Sequence, residues 1–353
     1  MKKLSISSMI LVVYVTILAM PIGADAETRD AGVDAKQVSA GLLEPIPDSW
    51  KETFAALRPD PRPEKLTRNS HYWISDEKRH DLFQSAIADS GGVFIGLGTD
   101  QNYLMAAWAR PEILILLDFD QMVVNLHYAF RVLFLNAETP AEFVDMWSFE
   151  RYEEVRDKIK QAYADRDKKF RRGVLQAFKV ARRLVHARLR LIIKTYGKRG
   201  IPTFLSDKDQ YQYIVRLFET GRVFPIRGDL TASNTVSDVA AAVKKLGLSI
   251  GTLYLSNAEQ YFKYNGNSFR QNMLALPLDE KSVVIRTAGT RSKWSADGLY
   301  EYIVQSGSNF HVWIGHPKTY TVWAIVNARK VNKKTGGSIV TKLPRGKDEK
   351  KKK

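Results

Sequence analysis

Short runs of continuous apolar residues, alternating with helical spacing, constrain this chain most. The runs 93–97 (Val-Phe-Ile-Gly-Leu), 113–117 (Ile-Leu-Ile-Leu-Leu) and 250–255 are apolar at every position or nearly so. A strand with no polar side has both faces covered, which is the condition of a parallel sheet whose crossover helices lie on both faces. Helical segments fall between the runs. One over 101–109 stops at Arg110-Pro111, and one capped by Asp120 buries Met122, Val123, Leu126, Phe130 and Leu133. Another over 236–246 stops at Gly247, and Ser75 can cap a helix running to Ala88. Further strands are expected at 223–226 and 282–286. Right-handed crossovers then make a doubly wound α/β sheet. The C-terminal part changes style. The segment 302–305, Ser306-Gly307-Ser308-Asn309 and 310–314 read as a hairpin, and 320–326 as one more strand, giving an antiparallel edge.

The two ends read differently from the body. Lys2 and Lys3 precede an apolar run from Met9 to Met20, broken by Pro21, with Ala24-Asp25-Ala26 as a small-x-small site. That is a secretory signal cleaved after Ala26, too short to span a bilayer comfortably, with an uncleaved anchor as the alternative. The expected location is periplasmic or extracellular. The chain contains no cysteine, which suits an oxidising compartment and excludes disulfides, thiol nucleophiles and zinc-cysteine sites. Residues 27–70, rich in proline, form an irregular lead-in. The domain is expected over 71–335, and 336–353 as a basic disordered tail.

The formal net charge of +16 is unevenly placed. Residues 151–200 hold 17 Lys and Arg against 5 acids, and most of the remaining excess lies in the tail. A basic helical insertion over 140–200 is therefore expected within an otherwise nearly neutral body. It opens with the capping box Thr139-Pro140-Ala141-Glu142 and breaks into two helices near Gly173. One reading is a solvated charged face. The other is a contact for an anionic partner: a lipid surface, an envelope polymer or nucleic acid.

In an open parallel sheet, ligands bind beyond the carboxyl ends of the strands. Four such ends carry distinctive residues. They are Gly96-Leu97-Gly98-Thr99-Asp100, then Asp118-Phe119-Asp120, then Gly228-Asp229, and Ser256-Asn257-Ala258-Glu259. Glycines admit a ligand to the backbone, and a carboxylate twenty residues beyond Gly98 can accept ribose hydroxyls. Each residue also has a plain structural role open to it. The glycines can serve packing, Asp120 or Asn257 can cap a helix, and Asp229 can close an Asx turn.

This order of strand ends resembles the class I S-adenosylmethionine-dependent methyltransferase family, in a branch of secreted bacterial proteins without an assigned activity. The resemblance covers roughly 75–330 apart from the insertion. It implies that Gly96 and Gly98, with Thr99 and Asp100, lie beneath the cofactor. It further implies that Asp118 binds ribose, that Asp229 contacts adenine, and that Asn257 and Glu259 stand near the methyl acceptor. Thr99 occupies the place of a third glycine, and no Asn-Pro-Pro-Tyr motif is present. His311 and His316, five apart, have no carboxylate nearby in sequence, and His127 lies seven residues past Asp120 on a helix; packing or surface roles suit them better, and no metal is expected. Three readings follow: an exported module binding a small polar or nucleotide-like ligand at this edge, a methyltransferase of unknown acceptor using S-adenosylmethionine, and an envelope interaction protein acting through the basic insertion. An exported enzyme would be separated from S-adenosylmethionine made in the cytoplasm.

Overall fold

The computed structural model describes residues 43–290 and 293–344; the signal segment and the lysine tail lie outside them. These residues belong to a single unit, Gln37–Lys353. Among them are eight strands: β1 (Val93–Leu97), β2 (Ile113–Asp118), β3 (Val223–Arg227), β4 (Ile250–Tyr254), β5 (Val283–Ala288), β6 (Glu301–Ser306), β7 (Lys330–Val331) and β8 (Gly337–Val340). They form one mixed sheet in the order β3-β2-β1-β4-β5-β6-β8-β7. The first five are mutually parallel, and β6 turns antiparallel to β5. The strand order reverses at the β1/β4 junction.

Helices cover both faces because side chains alternate along each strand. Leu114 and Leu116 of β2 join one core with α2 (Asp81–Ile87), α3 (Gln101–Ala109) and α4 (Gln121–Asn136). That core continues through α5 (Pro140–Asp145), α6 (Tyr152–Ala162), α7 (Lys168–Gly197) and α8 (Lys208–Glu219). Ile113, Ile115 and Leu117 join the other core with α1 (Asp48–Ala55), α9 (Thr235–Lys245), α10 (Phe269–Ala275), α11 (Gly307–Gly315) and α12 (Val322–Val326).

The basic segment is part of the domain's own covering layer. Val174, Phe178, Ala181, Val185, Leu189 and Ile192 of α7 are all buried in the first core. Its break falls at 163–167, where Asp167 accepts the N–H groups of Lys169 and Phe170, each at 2.9 Å. Gly173 does not break the helix as expected. A Cβ there would lie 2.5 Å from Nδ2 of Asn125, so the glycine allows α7 to close on α4. The capping box at Thr139 is half formed. Thr139 accepts the Glu142 N–H at 3.1 Å, while the Glu142 carboxylate turns to Glu138 N–H instead.

The expected C-terminal hairpin is corrected to a strand followed by a helix. Ser306 accepts Asn309 N–H and caps α11, whose buried Phe310, Trp313 and Ile314 recur at helical spacing. The strand expected over 320–326 is likewise α12, burying Val322, Ile325 and Val326. The antiparallel edge comes from β6 and β8, which run together against β5 and β7, and β8 arises from residues assigned to the tail. Ser75 caps nothing; the helix begins at Asp81.

Candidate functional site

The parallel strands bring Gly98, Asp118, Asp229 and Asn257 to one edge of the sheet, as their order required. At each end, however, the chain's own side chains occupy much of the space.

Beyond β1, a Cβ on Gly96 would lie 2.0 Å from Oδ1 of Asn102, and one on Gly98 would lie 2.4 Å from Nε2 of Gln101. Both amides fold back to donate to the Leu97 carbonyl, at 3.0 and 3.1 Å. Gln101 also accepts Thr99 N–H at 3.1 Å. The glycines therefore accommodate the next helix's first turn, and Gly98 adopts a φ of +86° that favours glycine. Buried His127 holds the same loop. Its Nε2 faces the Gly98 carbonyl at 2.9 Å, and its Nδ1 faces Tyr103 Oη at 2.8 Å. Donation to a carbonyl fixes the proton on Nε2, leaving Nδ1 to accept from the tyrosine. Burial lowers the His127 pKa to about 4, against the opposing pull of Gly98 and Asp100. Asp100 is fully buried, accepting Ser75 N–H at 2.9 Å and Arg188 Nε at 3.0 Å.

Beyond β2, Asp118 accepts Asp120 N–H at 2.8 Å. Burial pushes its carboxyl up to about 7, with the Asp120 charge adding to the rise and the Asp120 N–H opposing it. Asp120 caps α4 through Met122 N–H at 2.9 Å and meets His71 Nδ1 at 2.5 Å. Beyond β3, Asp229 closes an Asx turn on Thr231 N–H and Oγ1, at 2.8 and 2.7 Å. The anion position at the start of α9 is taken by buried Asp60, which accepts the N–H groups of Asp229, Asn234 and Thr235 at 3.0, 3.0 and 3.3 Å.

Beyond β4, Asn257 donates to Tyr300 Oη at 3.0 Å, which donates to Asp76 at 2.9 Å. Asn257 does not cap the following 3₁₀ turn. Glu259 is buried in an ion pair with Arg286 at 2.6 Å and accepts Tyr264 Oη–H. With both oxygens engaged, it is built as a structural acid. The buried centre here is Glu77. Its carboxylate faces His80 Nε2 at 2.7 Å and accepts from Ser256 at 3.0 Å, Tyr254 and Thr287. Burial raises its pKa, but His80 and the Thr287 and Tyr254 hydroxyls outweigh that and hold it at about 2.

Asp60, His71, Ser75, Asp76 and Glu77 all come from one stretch before β1. It runs across the sheet edge from β3 to β5 and inserts a polar group at every strand end. Apart from Ser75, read as a helix cap, none of these residues stood out in the sequence, because their partners lie far along the chain. The lead-in's acids were the only available signal.

An opening lies beside the end of β2, and another, of about 570 Å³, runs along β3 between α1, α4 and the start of α7. The former, a cleft of about 400 Å³, lies between the lead-in, the start of α4 and the first turns of α7. Arg62, Lys169 and Arg172 line it, with His71, Asp120 and Asn125. Among the described ion pairs, none involves those three cations. No group of acids and histidines among the described residues has the geometry to hold a metal ion.

Fold and site together define an α/β protein whose sheet edge is largely occupied by the stretch 60–77 that precedes β1. Residues 72–341 match the family described as a domain of unknown function, DUF7790, and the chain belongs to that family. No curated protein matches it.

Proposed function

We propose that this is an exported binding protein for a small anionic, nucleotide-like ligand, held in the cleft beside β2. The observation that carries this reading is the contrast between strand ends. Those of β1, β3 and β4 are covered by internal side chains, whereas the end of β2, where Asp120 meets His71, still borders a cleft lined by three cations that make no ion pair among the described residues. Two guanidinium groups and an ammonium lining one concave site suit phosphate oxygens. Export is supported by the N-terminal sequence and the absence of cysteine.

Methyl transfer has less support. In the resemblance, the cofactor passes over Gly96 and Gly98, where Asn102 and Gln101 now sit, and Asp229 is bound to Thr231. Calorimetry with nucleotides, ribose phosphates, S-adenosylmethionine and S-adenosylhomocysteine tests both readings. Phosphate-bearing ligands should bind, and Lys169→Glu/Arg172→Glu should weaken them by about tenfold or more. Binding of S-adenosylmethionine that depends on Asp118 and ignores Arg172 favours the enzyme. Silence from every ligand overturns the proposal.

A further inference from the structure

The inner face of α7 is explained by the core; its outer face has no partner among the described residues. The helix has 30 residues, about 45 Å at 1.5 Å each. It contains ten Lys and Arg and no acid, and only Arg188 pairs with a carboxylate among the described residues. At 100° per residue, exposed Arg172, Lys179, Arg183, Arg190 and Lys194 fall along the ridge opposite the buried stripe. Directly beside that ridge runs a second row, Val180, Leu184, Ala187 and Leu191, spaced four, three and four residues apart. Val180, Leu184 and Leu191 are 46%, 46% and 44% exposed. Solvated charge alone does not account for three large aliphatic side chains aligned in water on one side of a cation ridge.

We propose that this face docks the protein on an anionic lipid surface, with the helix lying parallel to the membrane. The cations meet headgroup phosphates while Val180, Leu184 and Leu191 enter the interfacial layer, and the long basic side chains reach outward from it. A second copy of the chain is a poor occupant, since two such ridges repel. A soluble polyanion would engage the cations but has no use for the aliphatic row. Among the described residues no helix is long and apolar enough to cross a membrane, so the contact is peripheral.

The test is co-sedimentation of the chain without residues 1–26, which leaves the unit 37–353 whole. Vesicles are phosphatidylcholine alone, or with about one-third phosphatidylglycerol. Binding should require the anionic lipid and weaken with salt. Leu184→Ser/Leu191→Ser should lower it by about tenfold while leaving retention on a heparin column unchanged. Arg183→Gln/Arg190→Gln should lower both. All four positions are exposed, and thermal midpoints matching the parent chain establish that the variants fold. Equal binding to neutral vesicles, or vesicle binding unaltered by the leucine pair, overturns the proposal. Heparin retention without vesicle binding also overturns it, assigning the ridge to a soluble polyanion.

Discussion

Arg188, in the second half of α7, donates Nε to Oδ2 of Asp100 at 3.0 Å, and the two side chains are 5% and 0% exposed. A second guanidinium nitrogen, Nη2, reaches the Glu77 carbonyl at 2.9 Å. One buried arginine thus ties the basic helix to the glycine loop and to the stretch before α2. Removing one partner of such a pair strands the other charge away from water. Arg188→Ala is expected to cost about 3–5 kcal/mol. Arg188→Met combined with Asp100→Asn should cost less than the sum of the single changes, because neither charge is then left behind. Urea midpoints of the three variants provide the check.

The pH dependence of stability should hold two opposing contributions. His127 titrates at about 4 in the folded protein and near 6.5 when unfolded. Between those values the unfolded chain binds more protons, so this histidine lowers stability as pH falls from 6.5 to 4, by about 3 kcal/mol. Asp118 acts in reverse. Its carboxyl titrates at about 7 when folded against 3.8 otherwise, so the folded state binds more protons in that window, and stability falls as pH rises through it. The parent chain should therefore show a shallow profile. Asp118→Asn, which keeps an oxygen for Asp120 N–H, should make stability rise with pH between 4 and 6.5. His127→Gln should make it fall. Denaturant midpoints across this range test both signs, and parallel profiles for the two variants would contradict the assignment.

How far the sequence reads depends on the range over which its signals act. β1, β2, β4, α3 and the Asp120 cap were legible because each is set by a local pattern of apolar runs, breakers and caps. The segment 306–314 was misread for the same local reason. Ser306-Gly307-Ser308-Asn309 serves equally as a hairpin loop and as a helix start, and only the burial of Phe310, Trp313 and Ile314 decides between them. Gly173 looked like a break until Asn125 supplied a reason for it. The site was least legible. That four polar ends share an edge follows from topology. That Asp60 meets Asn234, or Glu77 meets Thr287, depends on contacts across more than 170 residues that no periodicity encodes.

The filled glycine loop makes a prediction about coupling between neighbours. Gly96→Ala forces a methyl group against Asn102, at 2.0 Å from Oδ1, and less closely against the Phe94 ring, at 2.7 Å, and is expected to destabilise by about 1–3 kcal/mol. Asn102→Ala alone should be mild, since the Leu97 carbonyl keeps its bond from Gln101 and the buried Oδ1 of Asn102 has no partner. The double variant should then be more stable than Gly96→Ala. Thermal unfolding of the three proteins gives the coupling energy directly. Additive effects would mean that Gly96 is required by the strand and not by the amide packed on it.

Asp60 offers a sharper test of a sheet edge filled from within. Its carboxylate accepts three backbone N–H groups around the start of α9, the arrangement by which helix N-termini bind phosphate and sulfate. Asp60→Ala leaves those donors without their acceptor, and a loss of about 2–3 kcal/mol is expected. The vacated position would then suit an anion from solution. Sulfate or phosphate should raise the melting temperature of Asp60→Ala more than that of the parent chain. Asp60→Asn should fall between them, because its amide oxygen still accepts but carries no charge. If sulfate stabilises all three proteins equally, the carboxylate is an ordinary cap, with no anion site beneath it.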